Sequence, residues 1–550
     1  MATNLWELGP SGQRDDRGQS GFEPNRRRLP ALACVVVLLA LGIGLRSTQY
    51  FGQVDMWHDE LALARNVEDR GLVGLVSRPL DHLQVAPVGA LVLLKASSTL
   101  LGVSEVGLRF APWILGIASL FLFWRVATRF ADAVPLFAVL AVFAVSPALV
   151  WYGSSLKPYG GDVAVSLLLV FLSLRFLERP DDLGRGVVAG GFGGLAFLLS
   201  FPAIPTAGIL AVLIAAAWWR RSPRPPVAPL ASFGAAWMLG AGFAAWAALR
   251  LVDPATDQFM REFWADDFPP TSKPIAALTW ALAKLYGAFA HSVVFFPPRD
   301  PVLQFIVGVP VVLAIVGLVF ALRRPTASSL MLLAPPVAGL AAAFLHILPF
   351  DQRLGLHATW PLLVLAALGL TRLHRILPGR WRIATFALST VVALPLVAIV
   401  LLAARPPYAS SDGVQPRSVL TDLAERRRPA DRVYVYTQGR HDIAFYGKRA
   451  GIEEWIQGDP HFDDPRGYLR EIDALRGEPR VWFFWVRLDR DEPALIRSYL
   501  KAIAHEVERI PDEDPGSTGA VLYDLSDTER SAQVSAESFV LTDVEARKER

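Results

Sequence analysis

Cysteine is almost absent from this chain. Its 550 residues include one, Cys34, which excludes an internal disulfide framework and any site built on several thiolates. Cys34 lies inside an apolar run and reads as a packing residue. An excess of one charge is also missing. The 54 Lys and Arg nearly balance 51 Asp and Glu, leaving a formal net charge of +3, so composition makes no case for a nucleic-acid partner. No nucleotide-binding glycine pattern and no internal repeat is visible. No small-residue cleavage pattern closely follows the first apolar run, which therefore reads as a retained helix rather than a removed signal. Residues 1–29 before it are polar, contain Arg26-Arg27-Arg28, and read as a disordered cytoplasmic leader.

Apolar residues are abundant. The chain is 53% hydrophobic and 19% charged, with mean hydropathy +0.36, which predicts an α-helical polytopic membrane protein. Segments long enough to cross a bilayer are 30–47, 109–128, 134–152, 159–177, 185–201, 203–220, 229–250, 301–322, 328–348, 355–371 and 382–403. Two further runs, 86–102 and 274–296, carry Lys95 and Lys284 in mid-segment.

The basic residues settle those two. Clusters occur at Arg26–Arg28, Arg125/Arg129, Arg175/Arg179/Arg185, Arg220/Arg221/Arg224, Arg323/Arg324 and Arg372/Arg375/Arg380/Arg382. If all are cytoplasmic, each pair is separated by an even number of crossings. That parity excludes 86–102 and 274–296 as crossings and lays them along the outer face, their lysines snorkelling to water. About eleven crossings remain, with the N-terminus inside. The expected organisation is a membrane domain over 30–405, with outer loops 48–108 and 251–300; an extracytoplasmic α/β domain over 406–525; and a polar tail, 526–550. In the α/β domain, 418–428, 464–476 and 493–507 read as helices, and 432–437, 480–486 and 520–525 as strands.

This topology puts the chemically interesting residues on the outer side. The stretch Val54-Asp-Met-Trp-His-Asp-Glu60 places three acids, a His and a Trp just after the first crossing. An acidic cluster at a membrane face is a site hypothesis by default. It also reads as solvated acids opening a helix over 60–70, favoured by the helix dipole. On the same side lie His82, Gln84, Lys157, Tyr159, Asp162 and Arg353. Each has a plainer reading: His82 as a surface histidine, Lys157 as a headgroup anchor, Tyr159 as part of an aromatic belt, Asp162 as a structural partner of Lys157, Arg353 as an outer charge beside Asp351.

The order of these pieces resembles the GT-C superfamily of membrane glycosyltransferases, in the branch of protein O-mannosyltransferases and lipid A aminoarabinose transferases (glycosyltransferase family 39-like). The resemblance rests on Trp57-His-Asp-Glu60, Gln84-Val-Ala-Pro-Val88 opening an apolar helix, Leu101-Gly-Val-Ser-Glu-Val-Gly-Leu-Arg109, Leu156-Lys-Pro-Tyr159 followed by Asp162, and Arg353 before a helix starting near Pro361. It covers about 30–405. Where this branch often has a basic residue with paired prolines, this chain has Gln84 and the single Pro87, and His82 stands nearby as a substitute cation.

The resemblance implies transfer of a hexosyl or pentosyl group from a polyprenyl-phosphate-linked donor to an extracytoplasmic glycan, lipid or protein acceptor, at the cytoplasmic (inner) membrane. Such transfer needs a carboxylate to activate the acceptor hydroxyl and cations to neutralise the departing phosphate. Asp59 is the expected catalytic carboxylate, with Glu60 second; His82, Gln84, Lys157, Tyr159, Asp162 and Arg353 are expected at the substrate. A divalent cation on Asp59 and Glu60 stays open, since two carboxylates do not define a metal site. No other cofactor is implied. A transporter or flippase of lipid-linked sugars is the alternative class, and a non-catalytic envelope scaffold a third.

Overall fold

The computed structural model describes residues 28–295, 301–379, 406–408, 415–461, 464–486, 492–511, 518–531 and 534–539, with scattered positions between 383 and 397. It divides into two units: Met1–Val54 with Asn66–Tyr408, and Asp55–Arg65 with Ala409–Arg550.

The first unit is helical. In chain order its elements are α1 (Arg28–Phe51), α2 (His58–Asp69, whose first eight residues belong to the second unit), α3 (Leu72–Ser77), α4 (Val88–Leu101), α5 (Glu105–Ala127), α6 (Ala133–Val145), α7 (Pro147–Tyr152), α8 (Tyr159–Glu178), α9 (Leu183–Ala196), α10 (Ala203–Trp219), α11 (Val227–Leu251), α12 (Pro254–Phe263), α13 (Pro274–Val294), α14 (Pro301–Arg323), α15 (Ala327–Met331), α16 (Ala334–Phe344) and α17 (Trp360–Ile376). Among the described residues, six helices are long and apolar enough to cross a membrane: Pro30–Phe51, Glu105–Ala127, Tyr159–Glu178, Val227–Leu251, Gln304–Arg323 and Leu356–Ile376. Shorter apolar helices accompany them, α4 among them. At 14 residues α4 rises only about 21 Å, short of a hydrocarbon core of about 30 Å. The chain is thus a multi-pass membrane protein. The expected crossing 382–403 lies mostly outside the described residues.

Two expected crossings are broken, for legible reasons. The run 134–152 divides at Ser146-Pro147. Pro147 starts α7, where its missing N–H costs nothing, and the Ser146 hydroxyl accepts from Leu149 N at 3.1 Å. The run 328–348 likewise restarts as α16 with Pro335 in its first turn.

The helices α8 and α17 are largely enclosed by others, while α1 and α11 leave most of their surface open. Met238, Leu239 and Leu249 on α11 are at least 73% exposed, a surface that suits lipid and not water. The crossing of α9 with α11 is made by small residues. A Cβ on Gly240 would lie 2.3 Å from the Gly194 carbonyl oxygen, so backbone meets backbone there.

One end of this unit is laced by charge. Glu178 accepts from Arg129, from Arg175 at 2.8 Å and from Arg185 at 3.3 Å, while Asp132 pairs with Arg375 at 2.7 Å. Three of the six basic clusters expected to be cytoplasmic, those of Arg129, Arg175/Arg185 and Arg375, therefore carry these pairs. The two mid-segment lysines depart from the expectation that they snorkel to water. Lys95 donates to the Val67 carbonyl at 2.7 Å, and Lys284 pairs with Asp267 and with Asp351 at 3.4 Å. Each ammonium is partly buried and meets an acceptor within its own unit before it meets solvent.

The second unit contains a five-stranded sheet in the order β2-β1-β3-β5-β4, with β1 at Arg432–Val435, β2 at Ile456–Gln457, β3 at Val481–Val486, β4 at His505–Ile510 and β5 at Thr518–Asp524. β1 runs parallel to β2 and β3; β5 runs antiparallel to β3 and β4. Helices α18 (Pro416–Arg426), α19 (Arg466–Asp473) and α20 (Glu492–Ile503) complete it. The core is aromatic, with Tyr434, Phe483, Trp485 and Tyr523 on one sheet face against Tyr468 and Tyr499. Residues 505–507, expected to extend a helix, instead begin β4. Part of the polar tail packs on this core: Ala536 is buried, and the Phe539 ring lies 5.1 Å from Tyr499.

Candidate active site

At the N-terminal end of α8, opposite the Glu178 lattice and about 30 Å from it by helix rise, several expected site residues gather. Lys157 is 7% exposed and donates to Gln84 Oε1 at 2.6 Å. Gln84 in turn donates to the His82 carbonyl at 3.2 Å. His82 and Leu83 both have left-handed backbone, φ 65° and 54°, a costly conformation that persists only when neighbours enforce it. The enforcement comes from the end of α2. Asn66 makes two hydrogen bonds with the Asp81 backbone, at 3.1 and 2.8 Å, and Arg70 pairs with the Asp81 carboxylate and the Pro79 carbonyl.

The turn before α8 is tight. A Cβ on Gly160 would lie 2.2 Å from the Tyr152 carbonyl oxygen, so only glycine admits this fold of the 153–158 loop. Asp162 is 7% exposed, and its Oδ1 has no hydrogen-bond partner among the described residues. Around Tyr159 stands an aromatic group. Tyr152 is 5.4 Å away edge-on, and the Arg353 guanidinium lies 5.8 Å from the Tyr159 ring and 5.3 Å from the Trp264 ring, both cation–π distances. His291, 4% exposed, sits 5.8 Å from Tyr152, and burial holds its pKa down to about 4, so it is neutral. Burial, with Asp351 beside it, also holds the Asp267 carboxyl above the usual range despite the Lys284 hydrogen bond.

Asp59 and Glu60 lie in the second unit, and their roles diverge. Trp57 is the residue before α2, and Glu60 reaches back to its N–H at 3.4 Å, the return half of a capping box. Glu60 is fully buried, whereas Asp59 is half-exposed. The segment is anchored on both sides. Asp55 pairs with Arg417 at 3.1 Å, and the Met56 N–H donates to the Tyr446 hydroxyl at 2.8 Å. The His58 ring lies 4.8 Å from His441, whose Nδ1 is 3.2 Å from Arg65. Asp442 beside it is fully buried, in a turn that continues as a π-helical stretch, Ile443–Gly447.

Among the described residues, no three His, Cys, Asp or Glu side chains converge as a metal site would require. Arg109, which ends the motif Leu101–Arg109, is 4% exposed and spans to the Val54 carbonyl at 2.6 Å. The sequence reading missed Trp264, His291 and His441. A histidine closing an apolar helix was the available signal for His291; Trp264 and His441 gave none.

Residues 84–246 match the dolichyl-phosphate-mannose-protein mannosyltransferase family. No curated protein matches the chain in sequence. Among solved structures, ArnT from Cupriavidus metallidurans bound to undecaprenyl phosphate is similar at TM-score 0.54 and 12% identity, over 92% of this chain and 99% of that one. The archaeal oligosaccharyltransferase AglB from Archaeoglobus fulgidus, in complex with an inhibitory peptide and a dolichol-phosphate, reaches TM-score 0.48 at 13% identity, over 91% and 75%. Arabinofuranosyltransferase AftD from Mycobacteria reaches 0.48 at 13%, over 91% and 40%. Over residues 84–246 the chain is thus similar to that mannosyltransferase family, and its fold is shared with the membrane protein ArnT.

Proposed function

We propose that the chain transfers a sugar from a polyprenyl-phosphate-linked donor to an acceptor hydroxyl on the outer side of the cytoplasmic membrane. The observation that carries this reading is the cluster at the N-terminal end of α8: a buried lysine on Gln84, and Arg353 between two aromatic rings, at the end of the helix opposite the basic loops. Cations in such a low-dielectric setting suit a phosphate leaving group. The family match to an enzyme named for a dolichyl-phosphate sugar, and the undecaprenyl phosphate of ArnT, support a lipid phosphate carrier.

In this reading Lys157 and Arg353 hold the carrier phosphate, His82 and Gln84 complete that end, and Tyr159 offers a ring face to the sugar. Asp162 orients a sugar hydroxyl. Asp59 accepts the proton of the acceptor hydroxyl as its oxygen bonds to the anomeric carbon. The bond from that carbon to the phosphate oxygen breaks, and the lipid phosphate leaves with the electron pair. Charge on the ring peaks at an oxocarbenium-like state, which a nearby carboxylate stabilises. Glu60 fixes the start of α2, which presents Asp59.

The test is transfer by the purified full-length protein, with a polyprenyl-phosphate sugar as donor. Asp59→Asn, folded by thermal melting, is expected to lose about 10²–10⁴ in turnover, the range for a general base. Near-normal turnover would remove Asp59 from the chemistry, and transport of the donor without transfer would favour a flippase. Sidedness is tested separately. With Cys34 replaced, Ser418→Cys is expected to react with an impermeant reagent supplied outside the cytoplasmic membrane; reaction only after lysis of that membrane would reverse the topology.

A further inference from the structure

Three separate segments meet at Lys284 on α13. Its ammonium pairs with Asp267, which closes the stretch after α12, and with Asp351 at 3.4 Å, in the stretch before α17. The backbone repeats the connection, since Phe350 N–H donates to the Asp267 carbonyl at 3.1 Å. Rings add a third tie: Phe268 stacks on His346 at 5.0 Å. The Asp351 carbonyl then accepts from Gly355 N–H at 2.6 Å, closing the turn that contains Arg353. Trp264 lies three residues before Asp267, and Arg353 two residues after Asp351. The Lys284 side chain is 23% exposed, and the acids 16% and 26%, so the pairs lie below the fully hydrated surface where ion pairs lose their worth.

We propose that Lys284 is a positioning residue, fixing Trp264 and Arg353 relative to each other so that the guanidinium is presented to the donor phosphate. The proposal rests on the reading of Arg353 as a donor contact. The geometry gives it content. Arg353 lies 5.3 Å from a ring on one tied stretch and 5.8 Å from Tyr159 at the start of α8. Releasing the tie lets the two stretches part, and a displacement of about an ångström is enough to cost a charged contact much of its effect.

The test uses the full-length protein in detergent, with undecaprenyl phosphate as the probe and binding and thermal melting read side by side. Lys284→Met is expected to weaken binding about tenfold, and Lys284→Arg to restore most of it. The double variant Lys284→Met/Arg353→Ala is expected to bind no more weakly than Arg353→Ala alone, because the tie acts through Arg353. A merely structural lysine gives losses that add. Full binding by Lys284→Met, or additive losses in the double variant, overturns the proposal. Wild-type binding by Arg353→Ala sinks the donor reading itself, and the positioning role with it. If Lys284→Met does not fold, Asp351→Asn carries the same test, since it loosens one arm and leaves the Asp267 pair in place.

Discussion

Replacing Lys157 separates two roles that the structure superimposes. Its ammonium is bonded to Gln84 at 2.6 Å in a buried setting, and the proposed function also gives it the carrier phosphate. Lys157→Met removes a charge-assisted hydrogen bond worth about 1.5–3 kcal/mol and leaves the Gln84 oxygen without its donor, which costs about 1–3 kcal/mol of stability. The same charge withdrawn from a phosphate lowers donor affinity roughly ten- to a hundredfold. A double variant distinguishes the losses. In Gln84→Leu/Lys157→Met both partners are apolar, an exchange that is nearly neutral for a buried pair. The Gln84 bond to the His82 carbonyl is also lost, but that residue is half-exposed and water replaces it. The double variant is therefore expected to recover most of its melting temperature while undecaprenyl phosphate binding stays weak. Thermal melting and binding of that probe, read on the wild type and the two variants, decide the matter. Recovery of binding together with stability would make Lys157 a structural partner of Gln84 and nothing more.

Other variants test neighbouring claims. Glu60→Gln keeps an acceptor oxygen for the Trp57 N–H, so its turnover is expected to fall less than that of Asp59→Asn; a dead, well-folded Glu60→Gln beside an active Asp59→Asn would transfer the carboxylate role. Asp431 is buried, which raises its pKa, but hydrogen bonds from Arg480, the Arg428 N–H and Trp482 outweigh this and hold it below the usual range. A depressed native pKa gives stability that is present above the unfolded value of about 3.9 and lost as pH falls through the native one. Asp431→Asn should thus lower the melting temperature at neutral pH and flatten the loss below about pH 4; an unchanged acid slope would refute the assignment. Gly240→Leu forces apart helices that meet at the Gly194 carbonyl, and a loss of about 1–3 kcal/mol in stability is expected by detergent melting.

The parts of the fold that were legible in sequence depend on local composition. A run such as 159–177 announces itself because a bilayer demands about twenty apolar residues in a row. Strand β4 was misread for the opposite reason. His505-Glu-Val-Glu-Arg-Ile510 is an edge strand with its first three residues exposed, so it lacks the apolar signal of β3, and Ile503 before it continues a helical period. β2 has two residues, too few for any periodicity to register. The polar residues at the start of α8 stood out because polar groups at an apolar helix end are costly unless used. Lys284 was misassigned because its partners lie 17 and 67 residues away, and His441 was invisible because Arg65 is 376 residues distant. Sequence supplies such groups, but only packing selects among their partners.

The same distinction separates the settings of Asp59 and Glu60. As adjacent acids after the first crossing they look interchangeable, and composition ranks neither. What separates them is where α2 begins. Helix start at His58 makes Trp57 the capping position and Glu60 the third residue, whose side chain turns back toward the Trp57 N–H. Asp59, one residue earlier, is carried about 100° around the helix and stays half-exposed. A Ser, Thr, Asp or Asn at position 57 would have advertised that start; a tryptophan does not. The register comes instead from the anchors on Asp55 and Met56, supplied by Arg417 and Tyr446. Loosening them, for example by Tyr446→Phe, should therefore lower turnover through Asp59 without touching donor binding.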